Sequence, residues 1–236
     1  QSPAIESALA KNIPVGTIAL SCFAWACKQE VLMNKLVDNP TGHIIANFDG
    51  KCMLLDTGAT ETFFDEHRGI HVDDISRMIG TPLDGVVGMD RLKGRVVSLS
   101  KHAIHINGGV PERAGVPLTF VGGVPCVDIR INEVPCRALV KNGATVSYIV
   151  DPLLLRDKHT RVVEDFHPVY GRFKVRMFVN YFSIGEKNFF ADAGELPDAF
   201  TSLSASGIGA VIGTDLLDRF DMVMDFSGNR LYLISI

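Results

Sequence analysis

The residues best placed to do chemistry lie in a short pattern that the chain uses twice. The first copy reads Leu54-Leu55-Asp56-Thr57-Gly58-Ala59-Thr60, the second Leu139-Val140-Lys141-Asn142-Gly143-Ala144-Thr145. Each is followed by an apolar-apolar-Gly-x-Asp run, Val86-Val87-Gly88-Met89-Asp90 after the first and Val211-Ile212-Gly213-Thr214-Asp215 after the second. Aligned on Gly-Ala-Thr, Asp56 falls opposite Lys141 and Thr57 opposite Asn142. Two facing carboxylates that cannot both ionise share a proton, so that one donates it while the other activates water. Here the first position holds a carboxylate and the second an amine.

Elements that could position such groups are mostly strands. β-rich runs occur at 43–48, 52–55, 95–99, 124–131, 136–140, 173–182 and 222–226, bounded by turn residues at Asp49-Gly50, Asn107-Gly108-Gly109 and Gly122-Gly123. Helical patterning is best in short pieces at 151–156 and 215–219, each opened by an Asp able to cap the first turn. The Gly/Pro-rich stretch 107–117 reads as a linker between the copies. An internal repeat of this kind argues for two lobes sharing a cleft.

The paired motifs, with the tail Phe220-Asp221-Met222-Val223-Met224-Asp225-Phe226 and Asn229-Arg230-Leu231-Tyr232-Leu233, resemble the aspartic proteases over residues 40–236, in particular the retropepsin-like and small bacterial aspartyl protease group. The resemblance implies a mostly β, bilobal aspartic-protease fold with a few short helices. Its expected divisions are an apolar N-terminal segment at 1–36, lobe one at 37–115 and lobe two at 116–236. It further implies that a ψ-shaped loop packs around each Asp-Thr/Ser-Gly-Ala turn, and that the Thr hydroxyls tie the two turns together. The site residues it implies are Asp56, Thr57 and Gly58, with Lys141 at the second Asp position, Asn142 and Gly143.

The family also carries a hairpin flap between the two motifs of a half. From Asp56 to Gly88 is 32 positions, and from Lys141 to Gly213 is 72. The short interval leaves little for a long hairpin. Lobe two has room for one around 163–175, with Tyr170-Gly171 at its tip; an ordinary exposed hairpin is the other reading.

An ammonium ~4 Å from a carboxylate attracts it by on the order of 4 kcal/mol at an effective dielectric of about 20. The expectation is therefore an Asp56–Lys141 ion pair and no pepsin-like proteolysis, because Lys offers donors and no acceptor. That favours a pseudoenzyme holding an extended peptide or protein segment by strand addition. The competing readings are an active endopeptidase with a carboxylate borrowed from elsewhere or from a second molecule, and a structural component of the cell envelope. Asp90 and Asp215 read as helix caps. Ser98, Ser147 and Ser183 have no evident His/Asp companion, and the seven His show no nucleophile–base spacing.

At 236 residues, 47% hydrophobic and 21% charged, the chain has the composition of a well-cored globular protein. A net charge of −4 with scattered basic residues gives no nucleic-acid signature. The apolar stretch 13–27 is too short to span a membrane; it reads as a core element or as a signal-peptide core. Of five cysteines, Cys52, Cys126 and Cys136 read as buried small hydrophobes, whereas Cys22 and Cys27 could bridge. No metal or cofactor is implied, the compartment is undecided, and a monomer with an internal pseudo-twofold is expected.

Overall fold

Leu54-Leu55 and Val86-Val87 are apolar pairs that lie side by side in parallel strands, and the same holds for Leu139-Val140 and Val211-Ile212. The computed structural model describes residues 32–155, 159–197, 200 and 202–236. The apolar stretch at 13–27, most of the expected 1–36 segment, and Cys22 and Cys27 thus lie outside the described residues. Through the first copy run β1 (Leu32–Lys35), β2 (Ile45–Phe48), β3 (Lys51–Leu55), β4 (Glu66–His67), β5 (Ile70–His71), α1 (Val72–Ile79), β6 (Gly85–Val87), α2 (Met89–Leu92), β7 (Val96–Leu99) and β8 (Ala103–Ile106). Through the second run β9 (Val116–Val121), β10 (Val124–Ile131), β11 (Val134–Val140), β12 (Tyr148–Ile149), β13 (Arg161–His167), β14 (Gly171–Ile184), β15 (Lys187–Glu195), α3 (Ser202–Ala205), β16 (Ala210–Ile212), β17 (Phe220–Asp225) and β18 (Arg230–Ser235).

The protein is mostly β. A thirteen-stranded sheet runs in the order β1-β8-β7-β17-β18-β9-β10-β11-β16-β12-β15-β14-β13, and β2-β3-β6 form a separate three-stranded sheet. The C-terminal hairpin joins the halves: β17 lies antiparallel to β7, Met222 opposite Leu99, and β18 to β9, Leu231 opposite Val116. β10 shows why its residues form a strand, since Ile129 and Ile131 are buried while Asp128 and Arg130 are exposed.

One core cluster gathers Ile45, Leu54, Ile75, Ile79 and Val86 around the first copy. A second gathers Cys126, Leu139, Tyr148, Val175, Met177 and Val211 around the other. Each fully buried aliphatic side chain contributes ~1.5–3 kcal/mol of transfer free energy. These clusters fix the strands beneath the two turns.

Three expectations need correction. The stretch 107–117 is not linker to its end, because Val116 and Pro117 already pair with β18. The short pieces expected as helices at 151–156 and 215–219 are 3-10 turns, Pro152–Leu154 and Thr214–Asp218. The longest helix among the described residues, α1, escaped the sequence reading although its signals are present. Val72, Ile75 and Ile79 form its buried stripe, Asp73 and Asp74 suit its N-terminal end, and Gly80 at φ 76° closes it by donating to the Ser76 carbonyl.

Candidate functional site

The two copies build the same backbone frame. β3 runs parallel to β6 with Leu54 beside Val86 and Leu55 beside Val87. β11 runs parallel to β16 with Leu139 beside Val211 and Val140 beside Ile212. The Asp56 N–H donates to the Val87 carbonyl at 3.0 Å and the Lys141 N–H to Ile212 at 2.9 Å. Met89 N–H donates to Ala59 O at 2.8 Å, and Thr214 N–H to Ala144 O at 2.9 Å. Behind each turn a hydroxyl completes the frame. Thr62 Oγ1 donates to Asp90 at 2.7 Å and accepts from the Gly88 N–H at 3.0 Å. Ser147 Oγ donates to Asp215 at 2.7 Å and accepts from the Gly213 N–H at 3.0 Å.

Asp90 and Asp215 therefore do not cap helices, contrary to expectation: Gly88 and Gly213 occupy the N-cap positions, and the acids hold the preceding turns. Ser147 does have an acidic companion, Asp215, although the pairing is structural. Burial outweighs the hydrogen bonds from Ser147 and pushes the Asp215 carboxyl up to about 6.

Across the floor the symmetry breaks. The fully buried Thr57 donates its hydroxyl to the Val140 carbonyl at 2.7 Å and accepts the Asn142 N–H at 3.2 Å. In return the Thr57 N–H donates to Asn142 Oδ1 at 2.6 Å. Asn142 is also buried, and its Nδ2 has no partner. The longer side chain thus keeps the two turns joined but leaves its amide NH2 unsatisfied, which costs ~1–3 kcal/mol.

Asp56 and Lys141 reach across each other's turn. The Asp56 carboxyl lies over Gly143, so close that a Cβ there would overlap it. The Lys141 chain lies over Gly58, where a Cβ would meet its Cε at 2.5 Å. Glycine is needed at both positions for this close approach. Asp56 Oδ1 accepts the Gly58 N–H at 2.7 Å. The ion pairs within 4.0 Å among the described residues do not include Asp56–Lys141, so the expected salt bridge is not formed.

Both side chains line a cavity of about 540 Å³ that also includes Gly58, Gly143 and Tyr170. β13 and β14 form an antiparallel hairpin with His167 opposite Gly171 and Tyr170 at the tip. Tyr170 packs on Phe200 with ring centroids 4.8 Å apart. The hairpin reaches the first copy: Phe166 packs on its core cluster and meets the His43 ring at 5.5 Å. The corresponding first-copy interval holds only the two-residue strands β4 and β5, followed by α1.

Three comparisons bear on this arrangement. No family model and no curated protein matches the chain. Among solved structures it is similar to the aspartic proteinase from Irpex lacteus, with a TM-score of 0.53 and 10% identity over 87% of this chain and 97% of that one. The fold is aspartic-protease-like. At such identity the likeness concerns backbone architecture alone.

Within this aspartic-protease-like fold, several cavity residues lie outside both motif copies. His43 is buried, with Thr41 Oγ1 2.6 Å from its Nδ1; burial holds its pKa below the ordinary value, opposed by Asp165 and Asp56. His167 is lowered to about 4, first by burial and then by the Lys141 ammonium. Tyr148 donates its hydroxyl to Asp165, and burial, then that carboxylate, raises its pKa. Only His167 carried a usable sequence signal, standing three residues before Tyr170 at the hairpin tip. Among the described residues, no group of three or more His, Cys, Asp or Glu is arranged to hold a metal ion. None of the helices described is long and apolar enough to cross a membrane. Cys52, Cys126 and Cys136 are free.

Proposed function

We propose that this protein is a pseudoenzyme that holds an extended peptide or protein segment in an aspartic-protease-like cleft without hydrolysing it. In this reading residues 37–115 and 116–236 act as two lobes, and the hairpin ending at Tyr170-Gly171 serves as the flap. The observation that carries it is the crossed pair of side chains, in which the Lys141 chain covers Gly58 as the Asp56 carboxyl covers Gly143. Hydrolysis by a shared-proton dyad needs a carboxyl at both places. Lys141 supplies donors but no proton-accepting oxygen to complete it. Mixed apolar and polar walls, including Ile75, Phe63, Leu139 and Phe173, suit a segment bound by strand-like backbone contacts and side-chain pockets.

One observation favours the competing endopeptidase reading: Asp165 lines the same cavity and could act as the borrowed carboxylate. Its oxygens are engaged, however, by the Tyr148 hydroxyl and by the Phe166 N–H at 2.7 Å.

The test is incubation with an unfolded protein from pH 3 to 7, with products read by mass spectrometry and binding by calorimetry. The expected result is capture without cleavage. Cleavage that disappears in Asp56→Ala overturns the proposal, and its loss in Asp165→Asn would identify the second acid. Lys141→Asp combined with Asn142→Thr is expected to create cleavage in an otherwise intact site.

A further inference from the structure

Lys141 is a cation without a mate. Its side chain lines the cavity and has no hydrogen bond, and no ion pair within 4.0 Å, to any described residue. His167, at the end of β13 in the β13–β14 hairpin, lines the same cavity. It accepts the Val169 N–H on Nδ1 at 3.2 Å, which puts the proton of the neutral ring on Nε2. Nε2 has no hydrogen-bond partner among the described residues. Lys141 and His167 thus line one cavity, and these donors, one charged and one neutral, have no partners among the described residues.

We propose that this space receives a ligand carboxylate, hydrogen-bonded by the Lys141 ammonium and the His167 Nε2–H, with the attached apolar group against Val124, Leu139 and Phe173. A single negative charge matches the ammonium of Lys141. A phosphate would bring a second charge close to Asp56, whose Oδ1 is already held by the Gly58 N–H. The proposal rests on the peptide-binding reading and narrows its ligand class: the segment presents either a free C-terminal carboxylate or an Asp or Glu side chain to Lys141.

The experiment compares three versions of one apolar octapeptide, namely a C-terminal acid, its C-terminal amide, and the amide with one internal Glu. Calorimetry on the wild-type chain, Lys141→Gln and Lys141→Arg reads the affinities. The acid or the Glu peptide is expected to bind at least about tenfold tighter than the plain amide, as a charge-assisted hydrogen bond supplies. Lys141→Gln should erase that preference and Lys141→Arg keep most of it. Preference for the acid assigns the carboxylate to a chain terminus, and preference for the Glu peptide to a side chain. Equal binding of all three overturns the carboxylate site while leaving peptide binding intact. A separate arm titrates the wild-type chain with 3-phenylpropionate and 3-phenylpropionamide and follows the His167 ring resonances. Shifts with the acid alone support the site even if no octapeptide binds, in which case only the peptide reading fails. No shift with either compound, together with no peptide discrimination, overturns the site.

Discussion

The turn carrying Asp56 and the turn carrying Lys141 have nearly superposable hydrogen-bond lattices but different surroundings. The first sits on a three-stranded sheet and is followed by a two-residue hairpin and α1. The second is built into the thirteen-stranded sheet and is followed by the long β13–β14 hairpin. What the copies share is backbone: strand register, glycine positions, and a hydroxyl–carboxylate pair behind each turn. What separates them is two side chains at the floor and the length of chain between motifs. The frame is thus independent of the chemistry it presents, and the predictions probe each half of that statement.

The largest effect is expected at the ψ-loop glycines. A Cβ at Gly213 would lie 2.6 Å from the Val146 carbonyl oxygen, and one at Gly88 equally 2.6 Å from that of Glu61. Both obstacles are backbone, and both residues have ordinary extended dihedrals, so packing alone decides. Gly213→Ala and Gly88→Ala should each cost about 3 kcal/mol in urea unfolding. Gly58→Ala, which meets the flexible Lys141 chain, should cost visibly less than Gly143→Ala, which meets the Asp56 carboxyl. Equal costs at those two turns would show that Lys141 is not where it is described.

Next come the hydroxyls. Ser147→Ala should lose about 2 kcal/mol, because it strands the Gly213 N–H in a buried setting. Thr62→Val should lose less, about 1 kcal/mol: it also strands a buried N–H, that of Gly88, but Thr62 is only half-buried and Asp90 exposed, so water replaces part of what is lost.

The Asp215 carboxyl separates the halves by pH. Its folded-state pKa is raised from 3.8 to about 6 by burial, so the native state binds the proton more tightly than the unfolded chain. Its contribution to stability is then fully present below pH 3.8 and is lost as pH rises through 6. Unfolding free energies measured from pH 3.5 to 7 should fall by on the order of 2 kcal/mol from this group, and Asp215→Asn should remove that slope. The smallest change is expected at the floor. Asn142→Thr removes the unpartnered Nδ2 and should stabilise the chain by about 1 kcal/mol, a shift readable in the thermal midpoint.

The strand-forming stretches at 52–55 and 124–131 were legible because apolar residues and turn glycines report on their own neighbourhood. The paired motifs were legible for the same reason, being short, local and repeated. Long-range pairing was not: nothing local says that Met222 lies opposite Leu99, or that β18 separates β17 from β9. The cavity shows the same limit. His43 precedes β2, Asp165 lies within β13 and Tyr148 opens β12, and only the closed fold brings them around Asp56 and Lys141. The expected Asp56–Lys141 contact failed for a different reason. Opposed positions in a repeat fix where two Cα atoms stand, but a four-carbon chain lying over Gly58 decides where the amine ends.

The Thr57 latch has an evolutionary corollary. Its hydroxyl grips Val140 and Asn142, the Asn142 side chain grips its N–H in return, and both ends of the grip belong to a single polypeptide. In an assembly of identical subunits, any replacement at the grip would be duplicated, and an amine at the acid position would leave no acid at all. With both turns in one chain that constraint is absent, so the two floors can differ while the grip between them stays closed.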